Sequence, residues 1–352
     1  MNIIDLHPKV WLALNERCAQ LPHALLLAGQ RGVGKFELAE HFAQMLLCEN
    51  RQNHPTLPHA QIACGHCPAC VWLAQGNHPD FRQLQPAALG GEEEENPKSE
   101  PADASRKKKP SQQITIDQVR GLDDFLHIGT HRHGARVILV NPAEAMNRAT
   151  ANALLKSLEE PMVGTLFILV TSEVERLLPT IRSRCQSVFV PPPRADFAQA
   201  WLTQAGIAKA DEAARWLELA GGSPLLAVQL AKEPALLDVL LAEFTRGTSL
   251  DPLAAAAAID KVIKAEKGAT PLKRMIEWSQ KWLFDLTLES AGLAPRYFCA
   301  QALVLKRLAA ASSATALLAF SRKTLQYKQQ CEQPVNSRLF LEAYFLDYAA
   351  LF

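Results

Sequence analysis

The sequence predicts a doubly wound α/β domain followed by a domain made of helices alone. Three observations carry that expectation. Short, almost wholly apolar runs at 24–28, 136–140 and 166–170 alternate with helical patterns as far as residue 190, and no two-residue hairpin turn lies between them. A glycine-rich turn follows the first of these runs and opens into a helical pattern. Beyond the prolines at 191–193 the periodicity is helical to the end.

Length and charge narrow the function classes. The 352 residues leave room for two to three ordinary domains. The net charge is +1, from 37 Lys plus Arg against 36 Asp plus Glu, so no global basic field marks nucleic acid as the main partner. Any DNA contact is expected to be local or made through other chains. Residues 1–8 have neither a basic n-region nor an apolar h-region, and no apolar run reaches eighteen residues, which reads as a soluble, unsecreted, cytoplasmic protein. Eight cysteines in such a chain point to thiols or metal ligands rather than a disulfide framework.

Residues 8–21 read as an amphipathic helix with Val10, Leu12, Leu14 and Cys18 among its apolar positions. The strand at 24–28 then runs into Gly29-Gln30-Arg31-Gly32-Val33-Gly34-Lys35-Phe36. A strand that ends in such a turn and opens into a helix aims its first backbone N–H groups at one spot, which suits a phosphate. Gly29, Gly32, Gly34 and Lys35 fit the phosphate-loop pattern, with Lys35 where a cation meets the β- and γ-phosphates. Phe36 breaks it, because a phenyl ring cannot replace the hydroxyl that holds Mg²⁺. The plain alternative is a glycine-rich turn with no phosphate function. Phe42, Met45, Leu46 and Leu47 give the following helix a buried face.

Cys64, Cys67 and Cys70 are spaced for a tight knuckle that brings three thiols to one point. A tetrahedral zinc needs a fourth ligand. Cys48 is the nearest thiol in sequence, and His54, His59 and His66 compete with it. Four sulfurs would leave no open position for water, and no carboxylate lies within the cluster, so the site reads as structural rather than catalytic.

Residues 79–84 alternate as a strand. From 90 to 113 an acidic run at 92–95 and a basic run at 106–109 sit among prolines, with too little apolar surface to offset ordering, so a disordered, solvated insertion is expected. Asp117 is a candidate N-cap for a helix burying Val119, Leu122, Phe125 and Leu126. The strand at 136–140 ends at Asn141-Pro142, where an active hydrolase of this kind places a carboxylate for Mg²⁺ and often a glutamate. Glu144, two residues on, is expected to point elsewhere. A helix follows over 151–160, stopped at Pro161; then come the strand at 166–170, Ser183-Arg184-Cys185, and a last strand at 187–190.

Helices are expected at 196–205, 210–219, 223–232, 235–245, 252–266, 271–290, 297–311, 313–329 and 336–351. The 271–290 helix carries Leu272, Ile276, Trp278, Trp282, Leu283, Leu286 and Leu288. This broad apolar face either fills its own bundle core or meets other subunits in part.

The ordered set of Leu47-Cys48, Cys64/Cys67/Cys70, the stretch 76–80 (Gly-Asn-His-Pro-Asp), the stretches 151–156 and 158–161 (Ala-Asn-Ala-Leu-Leu-Lys and Leu-Glu-Glu-Pro), Ser183-Arg184-Cys185 and the stretch 336–339 (Asn-Ser-Arg-Leu) resembles the clamp-loader branch of the AAA+ family. The resemblance covers the whole chain except 90–113. It implies a RecA-like AAA+ P-loop domain over 1–192 that carries a zinc module at 48–70, a helical lid over 193–245, and a helical collar for oligomerisation over 246–352. It also implies structural zinc on Cys48, Cys64, Cys67 and Cys70, although the gap from Cys48 to Cys64 is longer than usual. Arg184, with Ser183 beside it, would be the arginine finger that reaches a neighbour's ATP site in trans. Gly222-Ser223-Pro224-Leu225 resembles the lid motif, with Leu225 where active relatives carry a nucleotide-sensing arginine. With Phe36 and Asn141-Pro142, this implies a subunit without its own ATPase activity, whose Gly29, Gly32, Gly34 and Lys35 do not bind ATP and Mg²⁺ productively. The implied partners are gamma/tau-type ATPase subunits and a delta subunit in a hetero-pentamer of the DNA polymerase III holoenzyme, with the sliding clamp and primed DNA reached through the complex. Two other readings are an ATPase that works through Lys35 and Glu144, and a zinc-dependent DNA-binding module.

Overall fold

Five consecutive buried residues, Ala24–Ala28, form the strand β1, which lies inside a five-stranded sheet. The computed structural model describes residues 2–90, 111–127, 134–204, 206, 210–232, 234–265, 271–331, 333 and 335–352. Residues 91–110, most of the expected insertion with both its charge runs, lie outside this set. Two compact units emerge, Met1–Pro193 and Arg194–Phe352.

In chain order the strands of the first unit are β1, then β2 (Gln52–Asn53), β3 (Gln61–Ile62), β4 (Phe81–Leu84), β5 (Arg136–Val140), β6 (Thr165–Thr171) and β7 (Gln186–Phe189). The main sheet has the order β4-β5-β6-β1-β7 and all its pairings are parallel. This is the RecA-like P-loop arrangement. β5 and β6 are buried along their whole length, which is why their sequences are apolar without alternation. Leu25 pairs with both Ile168 and Gln186, and Ala28 with both Thr171 and Phe189, so β6, β1 and β7 end together.

One element goes unannounced by the sequence and one expectation is corrected. β2 and β3 form a small antiparallel pair of mostly polar residues inside the 48–70 segment, and neither carries enough apolar pattern to announce a strand. The helix Ile116–His127 is capped by Thr115 rather than Asp117. Gln118 N donates to Thr115 Oγ1 (3.4 Å) and Thr115 N donates to Gln118 Oε1 (2.9 Å), a reciprocal capping box that satisfies two amides and leaves Asp117 in the first turn. Val119, Leu122, Phe125 and Leu126 are buried as expected.

The second unit contains helices Ala195–Gln204, Ala210–Leu219, Pro224–Ala231, Pro234–Phe244, Pro252–Ala265, Pro271–Ser290, Ala302–Ala311, Ala314–Gln330 and Ser337–Ala349. One continuous apolar core runs through it from Ala198 to Leu351. Ile276, Trp278, Trp282, Leu283 and Leu286 all belong to that core, so this face of the 271–290 helix is spent internally. Phe244 stacks on Trp282 at 5.6 Å between ring centroids. Trp282 Nε1 donates to Tyr348 Oη (3.0 Å), whose hydroxyl donates to Phe244 O (3.0 Å), so the buried polar atoms of Trp282 and Tyr348 are satisfied. Among the described residues no single helix is long and apolar enough to cross a membrane.

Candidate functional site

β1 hands directly to Gly29, and a Cβ there would collide with Val190 O, where the chain leaves β7. Only glycine lets the loop pass so close. Gly34 closes the loop with φ 101°, in the left-handed region, and a Cβ there would collide with Ile3 Cδ1. The glycines are thus explained in part by packing. Lys35 begins the helix Lys35–Leu47, and its side chain folds back under the loop. Its Nζ donates to Gly29 O (2.9 Å), Gln30 O (2.6 Å) and Ser172 Oγ (3.0 Å). An ammonium has three donors, and all three find acceptors in this chain. Burial lowers the Lys35 pKa to about 8, opposed by the nearby charge of Glu144. Phe36 follows, half-buried, with no oxygen to offer a cation.

Glu144 does not point away from the site. After β5 the chain turns through a single 3₁₀ turn, Ala143–Ala145, which returns the side chain over the strand ends. Glu144 Oε1 accepts from Ser172 N (3.0 Å), and its Oε2 is buried with no hydrogen-bond partner among the described residues. Ser172 itself lies just past β6, the neighbour of β1, so both strands deliver their following residues to one crevice. Sequence reading missed Ser172. The available signal was its position directly after an apolar parallel strand.

The N-terminal segment bears on the same loop. His7 is buried and its Nε2 donates to Val33 O (2.6 Å); burial lowers its pKa, which favours the neutral ring. Ile3 fills the space above Gly34. The segment also meets the 48–70 module. Trp11 Nε1 donates to Gln61 O (3.2 Å), Gln61 N donates to Asn15 Oδ1 (2.7 Å), and His54 Nε2 lies 3.8 Å from Asp5 Oδ1.

The helix that starts at Lys35 ends at Cys48, and there the thiols of Cys48, Cys64, Cys67 and Cys70 converge, all within 4.8 Å of one another. Their Sγ separations include 3.6 Å (Cys48–Cys64), 3.9 Å (Cys48–Cys67) and 4.0 Å (Cys64–Cys70). Zinc–sulfur bonds of about 2.3 Å at tetrahedral angles place sulfurs about 3.8 Å apart, so this cluster can hold a metal with little movement. Two backbone amides point at the same sulfurs: Cys64 N at Cys48 Sγ (3.3 Å) and Cys67 N at Cys64 Sγ (3.4 Å). Two of the competing histidines make contacts elsewhere. His66 Nδ1 donates to Cys64 O (2.8 Å), and His54 Nδ1 accepts from Thr56 N and Leu57 N.

Arg184 stands one residue before Cys185 and two before β7, at the edge where the strands begin. Lys35 lies beyond the edge where they end. The five residues of β1, about 16 Å of strand, lie between these edges. The short helix Pro179–Arg182 is pinned by buried Ile181, and Ser183 Oγ donates to Thr180 O (3.1 Å). Arg184 Nη1 donates to Thr180 O (2.9 Å), and Nη2 pairs with Glu159 Oε1 at 2.6 Å, both side chains being partly exposed. Arg184 is thus held in a local ion pair within its own chain.

A family model described as DNA polymerase III, delta subunit matches residues 7–194, more than half of the chain. The DNA polymerase III subunit delta-prime of Pseudomonas aeruginosa is 34% identical over 370 residues, covering 99% of this chain and 98% of that protein. The Escherichia coli subunit of the same name is 34% identical over 208 residues, covering 59% of this chain and 54% of its own length. The DNA polymerase III subunit gamma of Buchnera aphidicola is 31% identical over 166 residues, covering 47% of this chain and 37% of that protein.

Proposed function

This chain belongs to the family of DNA polymerase III delta-prime subunits, and from that premise we propose that it is a cytoplasmic, non-hydrolysing subunit of the clamp loader that lends Arg184, with Ser183 beside it, to a neighbour's ATP site. The observation that carries this reading is the polarity of the sheet. Lys35 lies past the carboxyl ends of the strands and Arg184 before their amino ends, so the guanidinium cannot serve the phosphate loop of its own chain. A guanidinium keeps its charge and offers several fixed donors, which suits the charge that develops on a γ-phosphate during transfer.

The phosphate loop supports the same reading from the other side. Its lysine is fully hydrogen-bonded by Gly29, Gln30 and Ser172, and Phe36 replaces the metal-binding hydroxyl. ATP and Mg²⁺ are then not bound productively at Gly29, Gly32, Gly34 and Lys35, and the loop acts as a brace in the fold. The four cysteines hold one structural zinc, with no open position for a substrate. Residues 193–245 act as the lid and 246–352 as the collar that joins gamma/tau-type ATPase subunits and a delta subunit in a hetero-pentamer. The sliding clamp and primed DNA are met through that complex.

One observation favours a second reading, an ATPase that works through Lys35 and Glu144: Glu144 lies close enough to Lys35 to act on its charge. Against it, one Glu144 oxygen is already engaged by the Ser172 amide, and no side-chain hydroxyl follows Lys35.

The test is Arg184→Ala in the reconstituted complex. Assembly at unchanged yield with slowed ATP turnover is the expected result, and unchanged turnover overturns the trans role.

A further inference from the structure

Arg184 is held from two sides by elements that are themselves anchored. Thr180 O, on the helix pinned by Ile181, takes one Nη1 proton at 2.9 Å. Glu159 Oε1 faces Nη2 in an ion pair at 2.6 Å. Glu159 is the last residue of the helix Arg148–Glu159, whose Leu154 and Leu158 are buried in the core of the first unit. The two anchors are 25 or fewer residues from Arg184 in sequence but come from different helices, so both chain segments must be in place before the guanidinium is fixed. A free arginine on a surface would sample many rotamers, and ordering it on demand costs conformational entropy. An arginine fixed beforehand does not bear that cost when the neighbour's nucleotide arrives. Nη1 also donates to Ser183 Oγ (3.4 Å), so with Glu159 at Nη2 three of the five guanidinium N–H groups face partners in this chain and two remain for a phosphate.

We propose that Glu159 is the positioning residue of Arg184: its carboxylate holds the guanidinium in the orientation from which it meets the γ-phosphate in the neighbouring subunit. This rests on the trans role of Arg184 proposed above. Glu159 touches neither nucleotide nor reacting atoms. Its effect is expected in the turnover step, because it orders the arginine without adding any contact to the substrate.

The experiment compares Glu159→Ala, Glu159→Gln, Arg184→Ala and the double variant Glu159→Ala/Arg184→Ala in the reconstituted complex. The chain's melting temperature and assembly yield are recorded for each. Glu159→Ala is expected to lower kcat for ATP about two- to fivefold, the reach of a partly exposed ion pair, with KM unchanged. Glu159→Gln, which keeps an acceptor but not the charge, is expected to fall between it and the native chain. The double variant is expected to be no slower than Arg184→Ala alone, since a positioner has nothing left to position. A merely structural glutamate would instead lower the melting temperature or assembly and add its loss to that of Arg184→Ala. If Arg184→Ala slows turnover while Glu159→Ala does not, or if the two losses add, the positioning role is overturned and the trans arginine stands. A faster Glu159→Ala complex would make the glutamate a restraint, which also overturns the proposal. If Arg184→Ala has no effect, both readings fall.

Discussion

Lys35 Nζ lies 3.0 Å from Ser172 Oγ, and the amide of that same serine is held by Glu144 Oε1 at 3.0 Å, so β5, β6 and the phosphate loop are tied together through one residue. The cation that a nucleotide would need is thereby engaged in the fold itself.

That engagement has a pH signature. Burial lowers the Lys35 pKa from 10.5 to about 8, so below pH 8 the folded chain carries a buried charge that the unfolded chain would hold in water. Between pH 8 and 10.5 the unfolded chain keeps a proton that the folded chain has released, and this residue's contribution to stability rises with pH. Urea denaturation of the native chain and of Lys35→Met across that range should show the native chain gaining on the variant, by up to about 3 kcal/mol. A constant difference would mean that the lysine is not held as described.

Gly34→Ala should destabilise the chain on two counts, a φ of 101° and a collision with Ile3 Cδ1. The expected loss is about 2 to 3 kcal/mol by denaturant titration. Adding Ile3→Ala removes the collision, so the pair should lose less than the sum of the two single changes. Strict additivity would show that the N-terminal segment does not rest on the loop.

The thiol cluster should bind about one zinc per chain, and a structural site of this type contributes roughly 10 to 16 kcal/mol of apparent binding free energy. Chelation should therefore loosen the module and, with it, the contacts it makes to the N-terminal segment. Hydrogen exchange at the Gln61 amide, now bonded to Asn15 Oδ1, should accelerate on chelation, and Cys67→Ser should reproduce the effect. Metal-free protein with unchanged exchange there would separate the two.

Much of this was legible in the sequence, for physical reasons that differ by element. β1 and β5 are buried on both faces, so their apolar runs mark their ends to the residue. Cys64, Cys67 and Cys70 are close in sequence because a knuckle is a local structure, and Cys48 could be named as the nearest remaining thiol. What stayed hidden depends on partners far apart in the chain. Nothing local marks Glu159 as the partner of Arg184, or Ile3 as the residue that fills the space above Gly34. Glu144 was misplaced because its direction depends on a 3₁₀ turn after Pro142, which strand periodicity does not describe. Asp117 and Thr115 are both good caps by type, and only the reciprocal bond to Gln118 decides between them.

A chain whose phosphate-loop lysine is engaged by its own fold should not hydrolyse ATP itself. The decisive assay is the purified chain alone with Mg-ATP, alongside Lys35→Ala. No turnover above background in either protein is the result predicted. Turnover by the native chain that disappears in Lys35→Ala would contradict it, because the lysine would then have left Gly29, Gln30 and Ser172 to serve a nucleotide.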